Sequence, residues 1–177
     1  MDAALAASLL ARTEICQGLP PKDVATIADA GEIRVAWEGE ELMRQGSLGV
    51  SMLLLLDGKA DVTKSDPDGR SRAIASVGAG TVLGEIALLE SVPRSATVKA
   101  ASPVRYFEIG RKAFDALIAR EDATAARLAM GLARTMARRQ RATTERLMAL
   151  LVDAGQRGVA SPVIDKFLES LVIELEG

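Results

Sequence analysis

The chain has 177 residues, 49% of them apolar and 26% charged, with a formal net charge of −2. That length suits one domain with a helical appendage and is ample for a packed core. The slight acidity excludes a general nucleic-acid binder, and three Phe, one Tyr and one Trp provide no stacking platform for single strands.

One Cys and no His exclude an internal disulfide, a zinc site of ordinary type, a Cys–His nucleophile and a Ser–His–Asp triad, so no metal centre and no catalytic residue is expected. A reduced, cytoplasmic location fits. The stretch from Asp2 to Ala11 has a faint likeness to a signal peptide, but its acidic start and short apolar span argue against one. No run approaches the roughly 18 apolar residues of a membrane span.

Residues 2–12 read as a short helix with Leu5, Leu9 and Leu10 on one side. Residues 21–30 read as a second, opening Pro21-Lys22-Asp23 and ending before Gly31. Cys16, between them, is expected to be a small core residue. From Glu32 to Ile109 the apolar period becomes that of strands, expected at 32–37, 41–44, 52–57, 59–64, 70–77, 95–100 and 104–109. Glycines at 39, 46, 49 and 58 and the turn Asp66-Pro67-Asp68-Gly69 separate them, and short strands punctuated in this way indicate a β-roll. Met52 to Leu56 is expected to be a central strand buried on both faces.

Within this region, Gly84-Glu85-Ile86-Ala87-Leu88 and Pro93-Arg94-Ser95-Ala96-Thr97-Val98 carry the strongest chemical signal. Gly84 allows backbone torsions closed to other residues, and the turn it opens aims free N–H groups at an anion. The fork of Arg94 pairs bidentately with phosphate oxygens. Ser95 adds a hydroxyl donor, and Glu85 can accept from sugar hydroxyls. Singly, Glu85 reads as a first-turn acid and Arg94 as a solvated charge; together, beside a glycine, they read as a phosphate site. Gly78-Ala79-Gly80 up to Gly84 does not make a dinucleotide-binding loop, because its third glycine comes one residue late and no βαβ pattern surrounds it.

These two segments resemble the phosphate-binding cassette of the cyclic-nucleotide-binding domain family. The resemblance implies that Glu85 binds the ribose 2′-hydroxyl, Arg94 and Ser95 the cyclic phosphate, and the backbone of Ile86 and Ala87 the remaining phosphate oxygens. Gly84 and Ala96 complete the cassette, and Val82 and Leu83 would wall the sugar and base. Residues 14–20 resemble the family's helical lead-in, where an aromatic often stands in place of Cys16. In the loop bounded by Gly46 and Gly49, Val50 replaces the acidic residue common there in the family.

After Gly110 the period returns to that of helices. Residues 111–119 carry Phe114, Leu117 and Ile118, and a longer helix is expected from about 122 to 153. On it, Ala125, Ala129, Leu132, Met136, Thr143, Leu147, Leu150 and Ala154 form a seam, interrupted at Arg139 or Gln140, that could pack on the roll or on a second copy of itself. The helix length favours a homodimer. Met136 to Leu147 resembles the base-capping helix of bacterial cyclic-AMP receptor proteins, which implies that Thr143, Thr144 and Arg139 meet the base. Ser161-Pro162 starts a further expected helix with Val163, Ile164, Phe167, Leu168, Leu171, Val172 and Leu175 on one side. That face requires a partner surface.

The expected architecture is α+β: a helical lead-in at 1–31, a jelly-roll-like β-roll (double-stranded β-helix) at 32–110 with its cassette at 84–97, a hinge and long helix at 111–153, and an amphipathic helix at 159–177. The expected function is binding of cyclic AMP, with cyclic GMP as the alternative, by a regulatory module that signals through its C-terminal helices. No catalysis, nucleic acid or membrane is expected. The expected partners are a second copy through 122–153 and another protein through 161–176. One rival is a nucleotide-free interaction module of the same fold. Another is a DNA-binding regulator, for which the roughly 20 residues after the long helix are too few to make a helix-turn-helix domain.

Overall fold

The computed structural model describes residues 3–90, 92–120 and 123–156. Two compact units divide the chain, Met1–Leu132 and Ala133–Gly177.

The first unit opens with α1 (Ala3–Leu10), a single 3₁₀ turn (Glu14–Cys16) and α2 (Pro21–Asp29). Pro21 at the first position of α2 supplies a preset φ where no N–H is needed. Eight strands follow: β1 (Glu32–Ala36), β2 (Glu41–Met43), β3 (Ser51–Asp57), β4 (Lys59–Ser65), β5 (Ser71–Gly78), β6 (Val82–Leu83), β7 (Thr97–Ala100) and β8 (Val104–Gly110). The short helix α3 (Glu85–Glu90) interrupts them after β6, and α4 (Arg111–Ile118) follows β8. The strands form two four-stranded antiparallel sheets, ordered β1-β8-β3-β6 and β2-β7-β4-β5, which is the expected roll with helices at its N-terminus and beyond.

Period-2 alternation explains why β3 lies at the centre. Met52 and Leu54 point into an outer core with the helices, whereas Leu53 and Leu55 point between the sheets, and all four are at most 3% exposed. β8 divides in the same way, with Phe107 and Ile109 outward and Val104 inward. The outer core takes Leu10 from α1, Ile15 and Cys16 from the 3₁₀ turn, Val24 and Ile27 from α2, and Phe114 and Leu117 from α4. Cys16 is buried as expected, and burial raises its thiol pKa.

The long helix α5 (Ala123–Gln156) begins in the first unit. Ala125, Leu128 and Leu132 bury its inner side in the outer core, each large side chain contributing about 1.5 to 3 kcal/mol of transfer energy. Gly131 lies so close to the lead-in that a Cβ there would collide with the Ile15 carbonyl oxygen. On the same stretch, Arg127 forms an ion pair with buried Asp23 of α2, and Thr124 Oγ1 donates to Asp23 Oδ1 at 3.2 Å.

Three details differ from the sequence expectation. β6 has only two residues, too few to show a period. Ser95 and Ala96 form a bend ahead of β7 rather than its first residues, and α5 runs on to Gln156. The expected helix at 159–177 lies outside the described residues. Among the described residues, no helix is long and apolar enough to cross a membrane.

Candidate functional site

Two carbonyl oxygens fix the cassette arginine. Arg94 Nη1 donates to the Gly84 carbonyl at 3.1 Å and Nη2 to the Ser51 carbonyl at 2.6 Å. The backbone of Arg94 is held as well: its N–H donates to the Ser47 carbonyl at 2.8 Å and its carbonyl accepts from Gly46 N–H at 2.9 Å, beside a β-bridge between Leu48 and Pro93. The loop bounded by Gly46 and Gly49 thereby serves as a short antiparallel partner for the Pro93-Arg94 corner.

Gly84 has φ +74°, in the left-handed region, and its missing side chain makes room for the guanidinium: a Cβ there would collide with Arg94 Nη1 and lie 2.8 Å from Met43 Cε. The glycine is thus required twice, by its torsion and by the close approach of the arginine. The Gly84 carbonyl also accepts from Leu88 N–H at 3.2 Å, so α3 and Arg94 are anchored at one peptide.

Both charged cassette residues are buried, Glu85 and Arg94 at 9% exposure each. Loss of solvation pulls the Arg94 pKa below its usual value, while the carboxylates of Glu108 and Glu85 oppose the shift. The site therefore holds an immobilised, largely dehydrated cation, which is the electrostatic requirement for anion binding in a low-dielectric pocket.

Of the residues singled out in the sequence, Gly84, Glu85 and Arg94 are brought together at the junction of β6, α3 and the bend before β7. Ser95 is exposed, Ala96 is half-buried and Ile86 is 42% exposed; Ala87 lies in α3. Val82 is 1% exposed and packs in the outer core, whereas Leu83 is partly exposed beside the inner one. Arg139, Thr143 and Thr144 belong to the second unit. There, Thr143 and Thr144 are exposed, Arg139 is half-buried, and Thr144 Oγ1 donates back to the Gln140 carbonyl at 3.1 Å.

Sequence reasoning missed Ser51 and Glu108. Ser51 Oγ donates to Glu108 Oε1 at 2.7 Å, and Glu108 Oε2 forms an ion pair with Arg34 Nε at 3.1 Å. The only available signal was cross-strand geometry. Ser51 pairs with Gly110, so Glu108 is its diagonal neighbour across β3 and β8, a relation that requires the register.

The roll of two antiparallel sheets thus carries a glycine-opened turn beside a buried arginine. Residues 34–121 match the family model described as "Cyclic nucleotide-binding domain", and the chain carries a domain of that family. It is 32% identical over 111 residues to a cAMP-dependent protein kinase regulatory subunit of Blastocladiella emersonii, covering 63% of this chain and 28% of that protein. It is 31% identical over 119 residues to the cyclic AMP receptor protein of Thermus thermophilus, covering 67% of this chain and 55% of that protein. The chain thus spans between about a quarter and about half the length of these relatives. A solved cyclic nucleotide-binding domain from Methylobacillus flagellatus superposes with a TM-score of 0.73 over 83% of each chain at 23% identity, a likeness of fold.

Proposed function

We propose that the chain is a regulatory module that binds cyclic AMP, in preference to cyclic GMP, at the cassette, and that it acts without catalysis. The observation that carries this reading is the seating of Arg94: a buried guanidinium held through Nη1 and Nη2 by two neutral carbonyls, next to a buried carboxylate at Glu85. Arg94 and Ser95 take the cyclic phosphate, with the N–H groups of Ile86 and Ala87, beside Gly84 and Ala96. Glu85 takes the ribose 2′-hydroxyl, and Leu83, with Val82 behind it, lies toward the sugar and base. Both relatives named above carry cyclic AMP in their descriptions, which supports the choice of nucleotide.

In this reading Arg139, Thr143 and Thr144 of α5 read the base, and displacement of α5 is the signal. The second unit exposes Met148, Leu150 and Val152, with Leu147 and Leu151 half-buried, which supports a homodimer along the helix. A cytoplasmic setting suits the single, buried Cys16. Calorimetric titration with both nucleotides tests the proposal: saturable binding that favours cyclic AMP supports it, and no heat at millimolar nucleotide refutes it.

A nucleotide-free interaction module of the same fold is the second reading. The bonds from Arg94 to Gly84 and Ser51 favour it, since they could pin the cassette loops together with no ligand present. The same titration separates the two.

A further inference from the structure

Arg94 sits at one end of a line of polar side chains that runs across β3, β8 and β1 on the face turned toward the other sheet. Its Nη2 lies 3.4 Å from Ser51 Oγ as well as 2.6 Å from the Ser51 carbonyl. The Ser51 hydroxyl donates to Glu108 Oε1 at 2.7 Å, Glu108 Oε2 forms an ion pair with Arg34 Nε at 3.1 Å, and Arg34 also pairs with Glu32. Exposure rises along the line, from 8% for Ser51 and 9% for Arg94 to 22% for the Glu108 side chain and 51% for that of Arg34. Ser51, Glu108 and Arg34 line one cleft of about 400 Å³.

This arrangement solves a conflict at an anion site. A buried guanidinium held only by carbonyls carries a desolvation cost with no contacting counter-charge. A carboxylate placed directly on its fork would remove that cost but would compete with a phosphate for the same N–H groups. Here the carboxylate stands one hydroxyl away. Among the described residues the bonded nitrogens of Arg94 are Nη1 and Nη2, and their partners are oxygens of Gly84 and Ser51. Glu108 is also the leading charge that opposes the effect of burial on Arg94, ahead of Glu85.

We infer that Glu108, acting through the Ser51 hydroxyl, is a positioning residue for the cassette: it supplies the standing counter-charge that seats Arg94 before an anion arrives and leaves the guanidinium free of a contacting carboxylate. The inference rests on the nucleotide-binding reading above. Its sign is informative, because a carboxylate near a phosphate site would otherwise repel the ligand, and removing it would then tighten binding.

The test is a double-mutant cycle on cyclic AMP affinity, together with nitrogen NMR of the Arg94 guanidinium in the ligand-free protein. Glu108→Gln and Ser51→Ala should each weaken binding by about three- to tenfold in the presence of Arg94, and by less than about twofold in an Arg94→Ala background. In the ligand-free protein, the restricted rotation of the Arg94 guanidinium should relax in both variants. Tighter binding by Glu108→Gln, equal losses with and without Arg94, or an Arg94 signal unchanged in both variants would overturn the inference. The NMR arm does not require ligand. If the wild-type protein bound no cyclic nucleotide while Arg94 still responded to Glu108→Gln, the functional reading would fail and the positioning role would stand.

Discussion

Arg94 Nη1 donates a 3.1 Å hydrogen bond to the Gly84 carbonyl and occupies the space that a Cβ on Gly84 would need. Substituting this glycine therefore has two separable effects. Gly84→Ala imposes about 1 to 2 kcal/mol of left-handed backbone strain and also displaces the guanidinium. Gly39 has a similar φ, +85°, with no atom near its missing Cβ, so Gly39→Ala imposes the strain alone. Gly84→Ala should therefore lose more thermal stability than Gly39→Ala, and only Gly84→Ala should lose nucleotide affinity, by at least about tenfold. Equal affinity in the two variants would show that the close approach of Arg94 has no role in binding.

A second prediction concerns the clasp between α2 and α5. The Asp23 side chain is 3% exposed and is held by Arg127 and Thr124. Arg127→Ala leaves a buried carboxylate with one hydroxyl partner and should destabilise the first unit by about 1.5 to 3 kcal/mol in urea denaturation. Adding Asp23→Asn should recover part of the loss, because the uncompensated charge is then gone. A midpoint unchanged by Arg127→Ala would mean that the pair is too solvated to matter.

The exposed apolar residues of the second unit supply a third. If α5 pairs with a second copy along Thr143, Leu147 and Leu150, the double variant Leu147→Asp, Leu150→Asp buries unpaired carboxylates and should give monomers by light scattering. Wild-type protein that is already monomeric at high concentration contradicts the dimer.

Much of the fold was legible because its signals are local. The Met52 to Leu56 run implied a strand buried on both faces, and β3 divides its side chains between the two cores as that reading requires. The cassette was legible for the same reason: Gly84, Glu85 and Arg94 lie within one short stretch, and the fold brings them to one place. What escaped depends on distant partners. β6 is too short to show a period, and Val82, read as facing the sugar and base, is 1% exposed in the outer core. Leu128 was absent from the helical seam yet is fully buried, while Thr143 and Leu150 of that seam are exposed, because tertiary contact rather than spacing selects the face of α5 that is covered. Ser51 and Glu108 meet only through the register of β3 against β8.

The central claim is that Arg94 anchors a cyclic nucleotide phosphate, and calorimetry of the wild type and Arg94→Ala with cyclic AMP tests it most directly. Removing the guanidinium leaves a desolvated anion unpaired, at a cost of about 3 to 5 kcal/mol, which corresponds to roughly two to three and a half decades of affinity. The account predicts saturable binding by the wild type and a loss of that size in the variant. Equal affinity for cyclic AMP in the two proteins would contradict it.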